Sequence, residues 1–305
     1  MHHRSVRKIA PLLTLALALA FLASCAPSKV ELPQPALTKV RFGIATDVHY
    51  ADIEPRGSRP YRESLAKFKE FVRVMGKERP DFLIELGDFK DQDDTPVEAK
   101  TLSYLRRIES AYAAFKGPRY HAIGNHDVDS LSKAQFLGTA GNPGIPAEWS
   151  YFRFDVRAVR FLVLDAGFAA NGEPYDHGKF AWADCNVPAA ELDWLRSELV
   201  ASPHPVIVFL HQQLDGQGDY YVKNAADVRA ILERSGKVLA VFQGHRHEGA
   251  LTKIKGIPYY TFKGMIEGSG PENNAYALVE VDVQGEITIK GFRKADSLRI
   301  GKEPL

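Results

Sequence analysis

Gly124-Asn125-His126-Asp127 follows the run Arg119-Tyr120-His121-Ala122-Ile123, which has the pattern of a short buried strand that ends in a polar loop. Open α/β sheets place their chemistry at the carboxyl ends of their strands. There the tetrad offers an amide oxygen for a metal ion, an imidazole to donate a proton and a carboxylate to orient that imidazole. The stretch therefore predicts an α/β fold with a reactive site at one edge of a sheet.

Four more polar clusters share this setting at the ends of apolar runs. Asp47-Val48-His49 follows residues 40–46, Gly87-Asp88 with Asp91 follows 82–86, His211 follows 206–210, and Gly244-His245-Arg246-His247 follows 238–242. Taken singly, each is more often a turn or an ordinary histidine than a ligand site. Five such clusters in order along one chain make an active site the leading interpretation.

Helical patterns alternate with the first strands. Residues 61–77 and 96–115 have apolar side chains at helical spacing, and each pattern precedes another apolar strand. This β-α-β-α-β order predicts parallel strands with right-handed crossovers. Residues 149–165 predict a hairpin that begins or joins a second sheet. Four later runs predict antiparallel strands, at 250–255, 257–262, 275–283 and 286–292, so that one domain spans residues 39–296 and a C-terminal tail spans 297–305.

The N-terminal residues have the features of an export signal. A basic start precedes the apolar residues 9–23, and Leu22-Ala23-Ser24-Cys25 resembles a bacterial lipobox. This predicts a lipoprotein signal peptide over 1–24, lipid attachment at Cys25 and a proline-rich tether over 25–38. The protein would then be exported and lipid-anchored in the periplasm or at the surface of a bacterial cell. A plain signal peptide or an uncleaved anchor is the alternative.

Charge and cysteine content restrict the partners. Loss of residues 1–24 removes three cationic side chains and no acidic one, leaving 36 Lys and Arg against 38 Asp and Glu. A nearly neutral chain argues against long nucleic acid as a partner, but not against a nucleotide-sized ligand. Cys185 would be the one cysteine besides Cys25, and we interpret it as a packing residue, because no histidine motif frames it.

The polar clusters together supply oxygen and imidazole donors and no thiolate. Such donors suit manganese, iron or zinc, and seven exceed what one catalytic ion needs. Two divalent ions that share a bridging carboxylate fit the number of donors, and such a pair can activate water to attack a phosphoryl group. His126 is the candidate proton donor, with Asp127 or Asp91 to fix its tautomer. The candidate ligands are Asp47, His49, Asp88, Asn125, His211, His245 and His247.

The same clusters resemble the calcineurin-like metallophosphoesterases, whose pattern is D-x-H, G-D-x-x-D, G-N-H-[DE], a lone H and G-H-x-H. The resemblance implies a four-layer α-β-β-α sandwich with two mixed sheets. It also implies that Asp88 bridges both ions and that His126, assisted by Asp91, stabilises or protonates the leaving group. The remaining ligands would divide into Asp47, His49 and His247 for the first ion and Asn125, His211 and His245 for the second.

Three stretches resemble a subgroup, the manganese-dependent ADP-ribose/CDP-alcohol diphosphatases. They are residues 42–52, 61–65 and 256–267. The chain differs from that subgroup at His49, where those enzymes tend to have glutamine. We therefore expect a binuclear enzyme that hydrolyses a small phosphate ester or a nucleotide-type diphosphate by attack of a metal-bridging hydroxide.

Two other functions stay open at this point. One is a broad phosphomonoesterase that scavenges phosphate, and the other is a surface-tethered binding protein without catalysis. The loop from Tyr50 to Tyr61 carries Arg56 and Arg59, which either contact a nucleotide or lie in solvent. Trp182 and Trp194 are interpreted as core or helix-packing residues. The oligomeric state has no sequence signal.

Overall fold

Residues 38–301 of the chain are described by a computed structural model. The predicted signal peptide 1–24, the lipid site Cys25 and the tether up to residue 37 lie outside the described residues, as do residues 302–305. Within 38–301, no helix combines the length and the apolar character that a membrane span needs.

Strands and helices alternate through the first half of the chain, and strands dominate the end. The strands are β1 Val40–Ala45, β2 Phe82–Glu85, β3 Arg119–His121, β4 Phe152–Val156, β5 Val159–Val163, β6 Val206–Phe209, β7 Val238–Gln243, β8 Ala250–Ile254, β9 Ile257–Thr261, β10 Ala275–Val281, β11 Ile287–Arg293 and β12 Leu298–Ile300. The helices are α1 Ser64–Glu78, α2 Glu98–Tyr112, α3 Lys133–Thr139, α4 Ala189–Ala201 and α5 Ala225–Ser235, with short 3-10 turns at Tyr61–Glu63, His126–Val128 and Pro271–Asn273.

The strands form two mixed sheets of six strands each. The first has the order β12-β11-β10-β1-β2-β3, and its β1, β2 and β3 run parallel as the alternating pattern predicted. The second has the order β4-β5-β6-β7-β9-β8, in which β4 and β5 form the predicted hairpin and β5, β6 and β7 run parallel. Helices joined to parallel strands cover the outer faces of such sheets, which explains why β2, β5, β6 and β7 are buried throughout.

The two sheets pack face to face through phenylalanine rings. The Phe42 ring of β1 lies 5.7 Å from that of Phe161 on β5 and 5.6 Å from that of Phe209 on β6, both edge to face. On the outer face of the first sheet, Phe68 of α1 and Leu105 of α2 share a buried cluster with strand residues. The predicted α-β-β-α sandwich is confirmed.

One detail of the prediction was wrong and another was incomplete. The domain does not end at residue 296, because Leu298–Ile300 pairs antiparallel with β11, so part of the predicted tail 297–305 belongs to the first sheet. Strand β9 was expected to be antiparallel. It forms a hairpin with β8, but its other edge pairs parallel with β7, since the chain crosses back beside that strand.

Candidate metal centre and active-site cavity

The candidate ligands follow the carboxyl ends of five parallel strands from both sheets. Residues 47–49, 88 and 125 follow β1, β2 and β3, and residues 211, 245 and 247 follow β6 and β7. Hydrogen bonds join the two sheets here, since the backbone N–H of His245 donates to Asp47 Oδ2 at 3.0 Å. The fold therefore brings all seven side chains to one edge.

The backbone at this edge is strained. A left-handed conformation costs a non-glycine residue about 1–3 kcal/mol and persists where surrounding contacts enforce it, often at active sites. Four candidate ligands have φ angles of 52°, 48°, 56° and 69°, namely Asp47, His49, Asp88 and His245. These turns direct side chains from separate loops toward a common centre.

One group of ligand atoms lies around Asp47. Its Oδ1 is 3.2 Å from His247 Nε2 and 3.9 Å from His49 Nε2. Both Asp47 and His49 are almost fully buried. We call Asp47, His49 and His247 the first ligand group, and they are the residues that the resemblance assigned to the first ion.

A second group lies around Asp88. His211 Nε2 is 3.1 Å from Asp88 Oδ2 and 3.1 Å from His245 Nδ1. The same Asp88 Oδ2 is 3.5 Å from His49 Nε2 in the first group. One carboxylate oxygen thus faces both groups, which is the geometry that a bridging ligand requires. We call Asn125, His211 and His245, together with Asp88, the second ligand group.

Three histidines are held by the nitrogen that faces away from the centre. His211 Nδ1 lies 2.8 Å from the Leu86 carbonyl oxygen, and His49 Nδ1 lies 3.1 Å from Asp91 Oδ2. His247 Nδ1 lies 2.6 Å from Glu267 Oε1. An acceptor at Nδ1 fixes the proton there and leaves the Nε2 lone pair free for a metal ion. These three contacts fix the orientation of the imidazoles that could hold a metal ion.

Unpaired buried atoms test whether a metal centre fits. Buried polar atoms almost always have hydrogen-bond partners, and each exception needs a cause. Within residues 38–301, Asp47 Oδ1, His49 Nε2 and Asn125 Oδ1 are buried without a hydrogen bond. Asp47 Oδ1 and His49 Nε2 lie in the first ligand group, Asn125 lines the same cavity, and each of the three atoms is of a kind that binds divalent ions. The residues present therefore fit two divalent metal ions.

The charges at the centre also suit cations. Burial alone would raise the pKa of Asp47 and Asp88, but the neighbouring histidines outweigh it and hold both pKa values well below the usual range. The opposite balance acts on His211 and His247, because Asp88 and Asp47 respectively overcome burial and raise the pKa of each imidazole to about 9. A metal ion that binds His211 or His247 would therefore have to replace a proton on the imidazole.

His126 lines the cavity, and its ring lies 4.7 Å from that of His49. Its Nδ1 is 3.5 Å from Asp91 Oδ2 and 3.4 Å from Asp129 Oδ2, which are ion-pair distances that are long for hydrogen bonds. About a third of the side chain is exposed. Because the buried Nδ1 faces the two carboxylates, the Nε2 edge faces the cavity. Burial lowers the pKa of His126, but Asp88 and Asp91 outweigh it and raise that pKa well above its usual value.

Asp127 does not orient His126, and the sequence interpretation of this residue was wrong. The carboxylate is fully buried and accepts backbone N–H groups of Gly124 at 2.8 Å and of Asp88 and Phe89 at 2.9 Å. It therefore ties the loop after β2 to the loop after β3. Gly124 permits this closeness, since a Cβ there would lie 2.2 Å from Asp88 Oδ1. Asp129, which the sequence did not single out, takes the predicted place beside His126.

Residues of both ligand groups line a cavity of about 410 Å³. Arg59 lies on the cavity wall, with its Nε 3.4 Å from Glu267 Oε1. Arg56 instead pairs with Asp94, and Tyr50 and Tyr61 are buried. Of the loop that was considered for nucleotide contact, Arg59 is thus the residue that lines the cavity.

The same cavity has an aromatic wall, which contradicts the packing interpretation of Trp182. The Trp182 ring is 42% exposed and lies 5.6 Å from the rings of both Tyr220 and His245. Phe180 also lines the cavity and stacks on Tyr175 at 3.9 Å. Trp194 packs against the core as expected. Cys185 is buried, which raises the pKa of its thiol to about 12, in keeping with a packing role.

Comparisons with known proteins agree with this geometry. A family model described as calcineurin-like phosphoesterase matches residues 40–249. The manganese-dependent ADP-ribose/CDP-alcohol diphosphatase of Oryza sativa subsp. japonica is 26% identical over 300 residues, covering 84% of this chain and 92% of that protein. The enzyme of the same name from Xenopus laevis is 24% identical over 312 residues, covering 82% of this chain and 87% of its own.

A solved structure has the same fold. The crystal structure of a dimetal phosphatase from Danio rerio superposes with a TM-score of 0.75 at 21% sequence identity, covering 87% of this chain and 99% of that one. The family match spans more than half of the chain and includes all five polar clusters. The chain therefore belongs to the calcineurin-like phosphoesterase family of metal-dependent hydrolases.

Proposed function

We propose that the chain is a binuclear metal-dependent hydrolase of nucleotide-type diphosphates. The observation that carries this proposal is a single cavity lined by residues of both ligand groups, by a cationic Arg59 and by the aromatic pair Trp182 and Tyr220. The names of the relatives from Oryza sativa and Xenopus laevis, which state ADP-ribose and CDP-alcohol, support the same substrate class.

Asp47, His49 and His247 would hold one ion, Asn125, His211 and His245 the other, and Asp88 both. Two bound divalent ions would lower the pKa of a water molecule and neutralise the charge of the phosphoryl oxygens. Hydrolysis adds water across one P–O bond of the diphosphate and yields two monophosphates. The chain's own residues must then position the substrate and supply a proton to the departing oxygen.

In this proposal His126 supplies that proton. Asp91 and Asp129 face its Nδ1, so the protonated Nε2 edge can donate a hydrogen bond to the oxygen that leaves phosphorus. Contacts of this kind are often long in ligand-free enzymes and shorten in the complex. In this account Asp91 has two roles, because it also orients His49.

Arg59 and the aromatic wall would determine which phosphate compounds bind. A guanidinium can bind phosphate oxygens in a bidentate manner, and Glu267 holds that of Arg59 at the cavity wall. The exposed faces of Trp182 and Tyr220 offer a stacking surface for a base. This division of the cavity favours a substrate with a base at one end and a diphosphate at the ligand groups.

A substrate panel tests the proposal. The metal-stripped chain, resupplied with manganese, zinc or iron, is assayed on ADP-ribose, CDP-choline, a cyclic nucleotide and glycerol 3-phosphate. We expect ADP-ribose or CDP-choline to have the highest kcat/KM. Preference for glycerol 3-phosphate would instead support a phosphate-scavenging monoesterase. Metal binding without hydrolysis of any compound would support the non-catalytic binding protein.

Trp182→Ala tests the stacking surface, with Trp149→Ala as its matched control. Stacking of a base on an aromatic side chain contributes about 1–3 kcal/mol, which corresponds to roughly a five- to 150-fold loss of kcat/KM. We expect this loss for ADP-ribose and little change for glycerol 3-phosphate. Trp149 is 54% exposed and does not line the cavity, so its replacement should change neither rate. An equal loss on both substrates would contradict a role in base recognition.

We further propose export and lipid attachment at Cys25, supported by the Leu22-Ala23-Ser24-Cys25 motif. Bacteria that express the full chain with labelled palmitate should incorporate label into the wild type. The Cys25→Ala variant should remain unlabelled, and equal labelling of both would contradict the proposal.

A further inference from the structure

A short segment beyond β9 contacts both ends of the first ligand group. Residues 264–268, Gly264-Met265-Ile266-Glu267-Gly268, lie after the part of the chain that the family model matches. We call this segment the strap. Its backbone N–H groups donate to carbonyl oxygens of His247 at 3.0 Å, Thr46 at 3.0 Å, Asp47 at 2.9 Å and Ser58 at 2.8 Å. The strap therefore joins the loop of Asp47 to the loop of His247.

Glu267 is the side chain of the strap that reaches a ligand. Its Oε1 lies 2.6 Å from His247 Nδ1 and 3.4 Å from Arg59 Nε. Gly264 brings the strap against the imidazole, since a Cβ at that position would lie 2.8 Å from His247 Cγ. One carboxylate thus fixes a candidate metal ligand and the cation that lines the cavity.

Two lysines hold the strap from the other side. Lys67 of α1 is 3% exposed, and its Nζ donates to the carbonyl oxygens of Met265 at 3.0 Å, Ile266 at 3.4 Å and Gly268 at 2.5 Å. Lys294 Nζ donates to the carbonyl oxygen of Glu267 at 2.5 Å. A buried ammonium is costly unless its donors are satisfied, so Lys67 in particular restricts the strap to this conformation.

The second ligand group has different support. His211 Nδ1 meets the Leu86 carbonyl oxygen, and Asp88 Oδ1 accepts the backbone N–H of His126. These partners belong to the loops after β2 and β3. The hydrogen bonds of the strap go to backbone carbonyls of the loop after β1 and to His247, so we expect its influence to be strongest on the first ligand group.

We infer that the strap sets the affinity of the first ligand group for its ion, with Glu267 and Lys67 as positioning residues. Glu267 holds the His247 ring so that its Nε2 faces Asp47, and Lys67 holds the strap that carries Glu267. This inference rests on the proposed metal centre and adds that its two ions depend on different parts of the chain. Loss of the carboxylate that orients a metal-bound histidine typically weakens metal affinity 10- to 100-fold.

The test is a titration of the metal-stripped full chain with manganese, with free and bound metal measured after equilibrium dialysis. The wild type should bind two ions. Glu267→Gln keeps the size of the side chain and should weaken one of the two binding constants by about 10- to 100-fold while leaving the other within about twofold. Glu248→Gln is the matched control, because Glu248 adjoins His247 but is exposed and pairs with Arg246.

A second variant tests the support of the strap. Lys67→Met should weaken the same binding constant as Glu267→Gln, whereas Lys69→Met, at an exposed position of the same helix, should not. Circular dichroism establishes that each variant is folded, and if Lys67→Met does not fold, Glu267→Gln decides. Unchanged constants in Glu267→Gln, or equal weakening of both, would overturn the inference. A wild-type chain that binds no manganese would overturn both the proposed metal centre and this inference.

Discussion

Asp127→Asn should destabilise the protein rather than remove a catalytic group. The Asp127 carboxylate is fully buried and accepts three backbone N–H groups at 2.8–2.9 Å. Asparagine can present one oxygen to Gly124 and Asp88, but its NH₂ group then faces the N–H groups of Phe89 and Lys90, which now donate to Asp127 Oδ1 at 2.9 and 3.4 Å. A buried donor left without a partner costs about 1–3 kcal/mol. The two remaining bonds also lose their charge-assisted strength.

These losses are partly offset because burial and a neighbouring negative charge already destabilise the ionised Asp127 carboxylate. Burial, and then repulsion by Asp88, raise the pKa of Asp127 to about 6, so removing its charge relieves some unfavourable energy. The balance leaves a net destabilisation of about 2–4 kcal/mol, from the two N–H groups that lose their acceptor and from two weakened bonds. The loop of Asp88 should also lose its fixed position, so turnover should fall together with stability.

Urea unfolding of the metal-free chain at pH 8 measures this free energy. We expect a lower midpoint for Asp127→Asn with an unchanged slope. Asp94→Asn is the control, because the Asp94 side chain is 89% exposed and its pair with Arg56 should contribute less than about 1 kcal/mol. A variant that unfolds at the wild-type midpoint but loses turnover would refute the structural role and restore the interpretation of Asp127 as a partner of His126.

Three further outcomes follow from the buried charges. The pKa of Glu85 is raised to about 8, mainly by burial, and that of His121 to about 9, where Glu109 overcomes burial. Both pKa values are higher in the folded than in the unfolded state, so the contribution of Glu85 and His121 to stability decreases as the pH rises from about 6.5 to 8. Glu85→Gln should therefore flatten the decline of the urea midpoint over that range. An identical decline in the variant would contradict this. Because the pKa of His211 and His247 is about 9 in the metal-free chain, manganese must displace protons, and affinity should rise with pH up to about 9. Calorimetry in two buffers of different ionisation enthalpy measures the protons released, and no release at pH 7 would argue against these values. His126→Ala should retain both ions but lose about 100-fold or more in turnover, as expected for a general acid, whereas full turnover would exclude that role.

The sequence predicted the sandwich and the ligand groups because both depend on local patterns. Each ligand cluster directly follows a buried strand, so the order of the strands was enough to place the clusters at one edge. The parallel pairing of β1, β2 and β3 followed from the helices between them. Strand β12 escaped detection because three residues after a polar turn have too little pattern, although β11 offers it an edge.

The residues that the sequence did not assign are brought in by tertiary contacts. Glu267 is 20 positions from His247, and no motif spacing connects the two residues before the strap folds back. Trp182 lies in an irregular stretch, where an apolar side chain gives no indication of which surface it faces. Asp127 was misassigned because adjacency in sequence suggested contact with His126, whereas its side chain turns to the backbone of Gly124 and Asp88. Local pattern thus placed the ligands, while the groups that orient them required the three-dimensional structure.

The central claim is that two ions held by these loops carry out phosphoester hydrolysis. Its most direct test follows bound manganese and the rate of ADP-ribose hydrolysis together as metal is added to the stripped full chain, for the wild type and for Asp88→Asn. Asp88 faces both ligand groups, so the account predicts two ions and a metal-dependent rate in the wild type, with metal and rate lost together in the variant. Hydrolysis by the stripped wild type, or an Asp88→Asn variant with two ions and full activity, would contradict the account.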